Sequence, residues 1–261
     1  FGTYNRNKRS ISVNLKSVEG LKFATHLVRE SDVLIENFGV GVLDRLGLGF
    51  DAMQEINPSL VYCALKGFLS GPYEQRAALD EVVQMMGGLA YMTGPEGCPL
   101  RAGASVNDVM GGLFGVIAIQ AALWERQRTG KGTFVRAGLF ENTMFLVAQH
   151  MVQYRQTGVP AVPMPERVSA WAVYDVFETA DGEKIFVGVV SDKQWTQFCK
   201  VFGMDDLLQD AELQTNAQRV AHRHAFMPRL RDLFGGQELS QAATICGRVG
   251  LPFAAILRPD Q

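Results

Sequence analysis

Leu60-Val-Tyr-Cys-Ala-Leu65 decides the fold class. It is a short apolar run that opens after Asn57-Pro58-Ser59, and it reads as a buried strand. Upstream, Asp32-Val-Leu-Ile-Glu36 has the same character. Between the two, Phe50–Ile56 reads as a short helix closed by Asn57-Pro58. Earlier still, Val18–Arg29 has a helical pattern with Leu21, Phe23, Ala24 and Leu27 inward. Ser10-Ile-Ser-Val-Asn-Leu15 alternates as a strand does. Strands that alternate with helices predict an α/β fold with a parallel sheet.

Downstream the pattern continues. Asp80–Leu89 reads as helix and Gly94-Pro95-Glu96-Gly97 as a turn. A helix runs from Asp108 to about Arg128, stopped by Gly130-Lys131-Gly132. Thr133–Ala137 is a strand and Phe140–Arg155 a helix. Gln156–Arg167, with Pro160, Pro163 and Pro165, breaks the pattern and marks a boundary. The expected domains are therefore 1–158, large and α/β, and 168–258, smaller and α+β. In the second, Ala172–Thr179 and Lys184–Val190 flank Ala180-Asp181-Gly182-Glu183 as a hairpin. Helices Lys193–Phe202, Gln218–Phe234 and Leu239–Val249 follow.

Composition narrows the function classes. The 261 residues are 47% hydrophobic and carry a net charge of −2, so no bulk field attracts nucleic acid. A local exception is the start of the chain, where Arg6, Lys8, Arg9 and Lys16 have no acid among them. That cluster is either a solvated basic arm or a phosphate site. Cys63, Cys98, Cys199 and Cys246 are too far apart for CxxC chemistry and fit a reduced, cytoplasmic protein. No stretch reads as long enough to span a membrane; Val109–Trp124 is taken as a core helix. The opening Phe1-Gly-Thr-Tyr-Asn5 and the ending Leu257-Arg-Pro-Asp-Gln261 read as interior sequence, so a fragment is expected.

Familiar motifs fail. Gly39-Val-Gly41-Val-Leu-Asp44 has Asp44 where a dinucleotide fingerprint needs its third glycine. Gly130-Lys131-Gly132-Thr133 lacks the P-loop spacing. His222 and His224 fall in a charged helical segment, and no metal site is expected. Asp108 is the residue that stands out, in Gly103-Ala-Ser-Val-Asn-Asp108 at the mouth of an apolar helix. A carboxylate there is either a helix cap or a nucleophile.

Six segments then agree in order and spacing: Asn5-Arg-Asn-Lys-Arg9-Ser10; Glu36-Asn37-Phe38-Gly39 with Leu43-Asp44-Arg45-Leu46-Gly47-Leu48-Gly49; Ile56-Asn57-Pro58; Gly71-Pro72-Tyr73; Gly103 through Asp108; and Arg128-Thr129-Gly130-Lys131-Gly132. Together they resemble the family III CoA-transferases. The resemblance runs from residue 5 to about residue 150 and continues, more weakly, beyond. It implies a Rossmann-like large domain, here incomplete at the N-terminus, and a small domain, with two chains interlinked as a homodimer. It implies that Asp108 is a covalent nucleophile with Asp80 close by. It also implies that Asn37, Phe38, Arg45, Leu46, Val13 and Lys16 line the CoA nucleotide. The substrates would be an acyl-CoA and a small carboxylic acid, with a dicarboxylic one favoured, and with no prosthetic group and no membrane.

The chemistry suits a chain poor in histidine. An aspartate is ionised at neutral pH without a base. Backbone N–H groups at the helix start are candidates to stabilise developing oxyanions. Asp80 has a second reading, as the cap of its own helix. Arg101, Arg167 and Ser169-Ala-Trp171 are candidates to meet an acceptor carboxylate, with Met85, Met86 and Met92 nearby. Two departures stand out: the family's first strand and Gly-Pro helix are missing, and no glycine-rich loop lies between Gly158 and Trp171. The competing readings are an α-methylacyl-CoA racemase-like enzyme, disfavoured because Leu79 stands where that family has histidine, and a CoA-binding protein without turnover.

Overall fold

Val61–Lys66 forms the middle strand of a three-stranded parallel sheet. The computed structural model describes residues 2–261, which divide into two compact units at Glu166/Arg167, inside the proline-containing segment. In the first unit the order is α1 (Val18–Arg29), β1 (Val33–Glu36), α2 (Val42–Arg45), α3 (Phe50–Ile56), β2 (Val61–Lys66), α4 (Asp80–Met86), α5 (Leu89–Thr93), α6 (Val106–Thr129), β3 (Phe134–Gly138) and α7 (Leu139–Thr157).

The sheet order β1-β2-β3 pairs Val33 with Val61 and Cys63 with Val135. Both faces of β2 are covered. Leu60, Tyr62 and Ala64 pack with Val28, Leu43, Leu48 and Met53 on one side. Val61 and Cys63 pack with Ile119 and Ala122 of α6 on the other. That is why the run is apolar without alternation. Ser17 caps α1 by accepting the Gly20 N–H at 3.0 Å.

Four expectations are corrected. Ser10–Leu15 forms no strand, because it has no ladder partner among the described residues. Asp80–Leu89 is two helices, parted at Gly88, whose φ of 84° lies in the left-handed region. The long helix starts at Val106, so Asp108 is its third residue rather than its first. At 24 residues it is also long and apolar enough to cross a membrane by length and composition, with mean hydropathy 1.5. It is nonetheless packed on β2, β3 and α7. A Cβ on Gly115 would meet Leu65 at 3.0 Å, so a small residue is needed there. The other face of α6, including Leu113, Ile117 and Trp124, is exposed.

The second unit holds an antiparallel sheet. β4 (Val173–Glu178) and β5 (Lys184–Val189) form the hairpin, and β6 (Phe253–Ala255), which the sequence did not announce, adds to β5. Helices α8 (Asp192–Val201), α9 (Asp205–Gln209), α10 (Asn216–Ala221), α11 (Arg223–Gly235) and α12 (Leu239–Arg248) accompany it. Phe177, Phe198, Leu230 and Phe234 form its core. The single helix expected over Gln218–Phe234 is two. Thr215 and Gln218 start α10 with a capping box, and His222 ends it outside helical geometry.

Candidate active site

The C-terminal ends of β1, β2 and β3 and the first turns of α4 and α6 enclose a cleft of about 420 Å³. Its walls include Asn37, Lys66, Asp80, Glu81, Asp108 and Leu139. The C-terminal edge of a parallel sheet is where open α/β folds bind ligands.

Asp80 and Asp108 divide the two roles that the sequence left open. Asp80 is 3% exposed. Its Oδ1 accepts the N–H of Asn107 at 2.8 Å and that of Asp108 at 3.3 Å. Its Oδ2 accepts the carboxamide N–H of Gln84. Gln84, fully buried, accepts in turn the Ala102 N–H at 2.8 Å. Asp80 thus caps α6, not its own helix, and is tied to the loop that leads into α6. Asp108 makes no cap bond and is exposed to the cleft. Burial of its carboxyl, then the charges of Asp80 and Glu81, raise its pKa above the ordinary carboxylate value.

The same bonds exclude one expectation. Val106, Asn107, Asp108 and Val109 donate their N–H groups to Ala104 O, Asp80, Asp80 and Ser105 O. No donor in the first turn of α6 is left for an oxyanion. The helix end still lends its positive dipole to the site.

The CoA-binding candidates are dispersed. Asn37 lines the cleft with the two aspartates. Phe38 follows it, 46% exposed. Arg45 is exposed at the end of α2, whereas Leu46 is half-buried against the core beneath β2. Val13 is half-buried and Lys16 exposed, in the segment before α1. Phe38, Arg45, Leu46, Val13 and Lys16 are not among the residues that line the Asp108 cleft. Nor are Arg101 and the three methionines. Arg101 pairs with Glu81, and Met92 is buried.

The sequence reading missed Gln84, Glu36 and Lys66. Gln84 follows Asp80 by four residues, a spacing that puts both on one helix face. Lys66 and Glu36 each end an apolar strand, and they form an ion pair at 2.6 Å between a buried carboxylate and a half-buried ammonium.

The pattern of CoA-transferase family III matches residues 1–261. An acyl-CoA transferase of Fusarium pseudograminearum (strain CS3096) is 36% identical over 258 residues, 98% of this chain and 56% of that protein. A succinate–glutarate CoA-transferase of Agrobacterium fabrum is 37% identical over 221 residues, 84% of this chain and 55% of that protein. Among solved structures, a CAIB/BAIF family protein from Brucella suis superimposes with a TM-score of 0.85 and 34% identity. That match covers 96% of this chain and 67% of the other. The chain belongs to CoA-transferase family III. It spans a little over half the length of the curated relatives it matches.

Proposed function

We propose that this chain carries the nucleophile of a CoA-transferase that moves CoA from an acyl-CoA to a small carboxylic acid. One observation carries the reading: of the two aspartates that line the cleft, Asp80 is buried and does the capping, which leaves Asp108 exposed to the cleft with no cap bond of its own.

The steps balance without an external base. The Asp108 carboxylate attacks the donor thioester carbonyl, giving a mixed anhydride and CoA thiolate. The thiolate attacks the aspartyl carbonyl and releases the donor acid, leaving CoA on Asp108 as a thioester. The acceptor carboxylate attacks that thioester, giving a second anhydride and thiolate. The thiolate then attacks the acceptor carbonyl, and Asp108 is regenerated. The raised pKa of Asp108 makes its anion more basic, and so a stronger nucleophile. Asn37 lines the same cleft and carries a carboxamide suited to a developing oxyanion.

Several finer points belong to the same proposal. Phe38 and Arg45 suit the CoA nucleotide, one by stacking on adenine and the other by binding phosphate. A dicarboxylic acceptor is favoured by the relative named for succinate and glutarate. Leu113, Ile117 and Trp124 on α6 and Phe145 on α7 are exposed, which supports an interlinked homodimer. A cytoplasmic location belongs to the same proposal, and the four free thiols support it. No histidine is among the described residues that line the cleft, which disfavours the racemase reading.

The test is trapping. Incubation with succinyl-CoA followed by borohydride should reduce Asp108 and no other carboxylate, read by peptide mass. Transfer without a reducible aspartyl thioester would refute the reading.

A further inference from the structure

Glu36 and Lys66 end neighbouring strands; the Glu36 side chain is buried, 6% exposed, and the Lys66 side chain largely so, 14% exposed. Their pairing is closed through one residue of the adjoining loop. Lys66 Nζ lies 2.6 Å from Glu36 Oε1 and donates to the Phe38 carbonyl at 2.7 Å. The Phe38 N–H donates to Glu36 Oε2 at 2.8 Å. Both backbone polar groups of Phe38 are therefore held by one ion pair, while its ring stays 46% exposed.

The clamp sits between two clefts. Lys66 lines the Asp108 cleft together with Asn37. It also lines a second one of about 290 Å³, with Glu36, Gly39, Gly41, Asp44 and Arg136. The segment 37–39 thus forms part of the wall of both. Burying an ion pair costs desolvation, so such a pair is a poor source of stability and a good source of fixed geometry. Here the geometry it fixes is that of an exposed aromatic between two cavities. Such a ring is suited to stack on a flat heterocycle.

We propose that Glu36 and Lys66 are positioning residues that hold the Phe38 segment for the nucleotide end of the acyl-CoA. This rests on the CoA-transferase reading above, but not on the role of Asp108. The clamp acts on the nucleotide end through Phe38; because Lys66 also lines the Asp108 cleft, the test separates the two ends of the substrate.

The experiment compares two donors, succinyl-CoA and the succinyl thioester of N-acetylcysteamine, which has no nucleotide. Lys66→Met should raise the KM for succinyl-CoA about tenfold while the KM for the short thioester moves less than about twofold. Lys66→Arg should keep most of the affinity for succinyl-CoA. The double variant Glu36→Gln/Lys66→Met leaves no lone buried charge, so it should fold even if Lys66→Met does not, and should show the same split. A purely structural role would lower the melting temperature and shift both donors alike. Equal effects on the two donors, or a loss of kcat with both KM values unchanged, would overturn the proposal. A wild-type protein that binds no succinyl-CoA would overturn the transferase reading and this one with it. Wild-type transfer with unaffected variants would overturn this one alone.

Discussion

Oδ1 of Asp80 accepts the backbone N–H of Asn107 at 2.8 Å, so a residue of α4 caps the helix that carries Asp108. Removing that side chain should cost more than a surface cap. Asp80→Ala loses the cap and leaves buried donors of Asn107 and Gln84 unpaired, about 3 kcal/mol in all. Asp80→Asn keeps an acceptor and should cost less than half of that. Urea unfolding checks both; equal stability of Asp80→Ala and the wild type would show that the cap is idle.

Asp80 also acts on Asp108 through charge. Asp108 must be ionised to attack, and its pKa is raised by burial first and by Asp80 next. Asp80→Asn should therefore move the acid limb of the kcat profile to lower pH. An acid limb that stays in place would mean that Asp80 does not tune the nucleophile.

The same shift has a sign for stability. With its folded pKa above the unfolded value of about 3.9, Asp108 favours the folded state below that value and disfavours it as pH rises through the folded pKa. Asp108→Asn should thus abolish transfer yet melt higher than the wild type at neutral pH, with the advantage shrinking below about pH 4. Thermal melts across that range decide it. A variant that melts lower at neutral pH would show that the Asp108 charge is stabilising.

Gln84 ties Asp80 to the Ala102 N–H, across the loop before α6. Gln84→Leu should lower kcat about tenfold or more, with KM for both substrates nearly unchanged, because what is lost is placement of the nucleophile. A rise in KM at constant kcat would put Gln84 in substrate binding instead.

Much of the fold was legible in the sequence. The ends of α1 and α3 fell where periodicity and the Asn57-Pro58 stop placed them, because both are local signals. Two-sided burial of β2 was readable from its unbroken apolar run. What was not legible is long-range. Asp80 read either as the cap of its own helix or, by the resemblance, as a neighbour of Asp108, and nothing local announced its bond to Asn107, 27 residues on. The Glu36–Lys66 pair joins residues 30 apart, at neighbouring strand ends that only the sheet register brings together. Ser10–Leu15 shows the converse: alternation alone makes no strand where no ladder partner is present among the described residues.

Gly132 tests the packing account. A Cβ there would fall 1.9 Å from Leu60 O and 2.4 Å from Leu60 C, both backbone atoms. Gly132→Ala must push β3 away from the start of β2, and should cost more than about 3 kcal/mol. Chemical denaturation reads this directly; a loss under about 1 kcal/mol would show that the approach relaxes freely.

The central claim is that Asp108 is covalently involved, and its most direct test follows one oxygen atom. When the acceptor carboxylate attacks the aspartyl thioester, one acceptor oxygen becomes the anhydride bridge. When the thiolate then takes the acceptor acyl group, that oxygen stays on Asp108. A single turnover with succinyl-CoA and glutarate labelled in its carboxylates with oxygen-18 should leave one heavy oxygen in the Asp108 peptide. Transfer that leaves Asp108 unlabelled, with both heavy oxygens accounted for elsewhere, would contradict it.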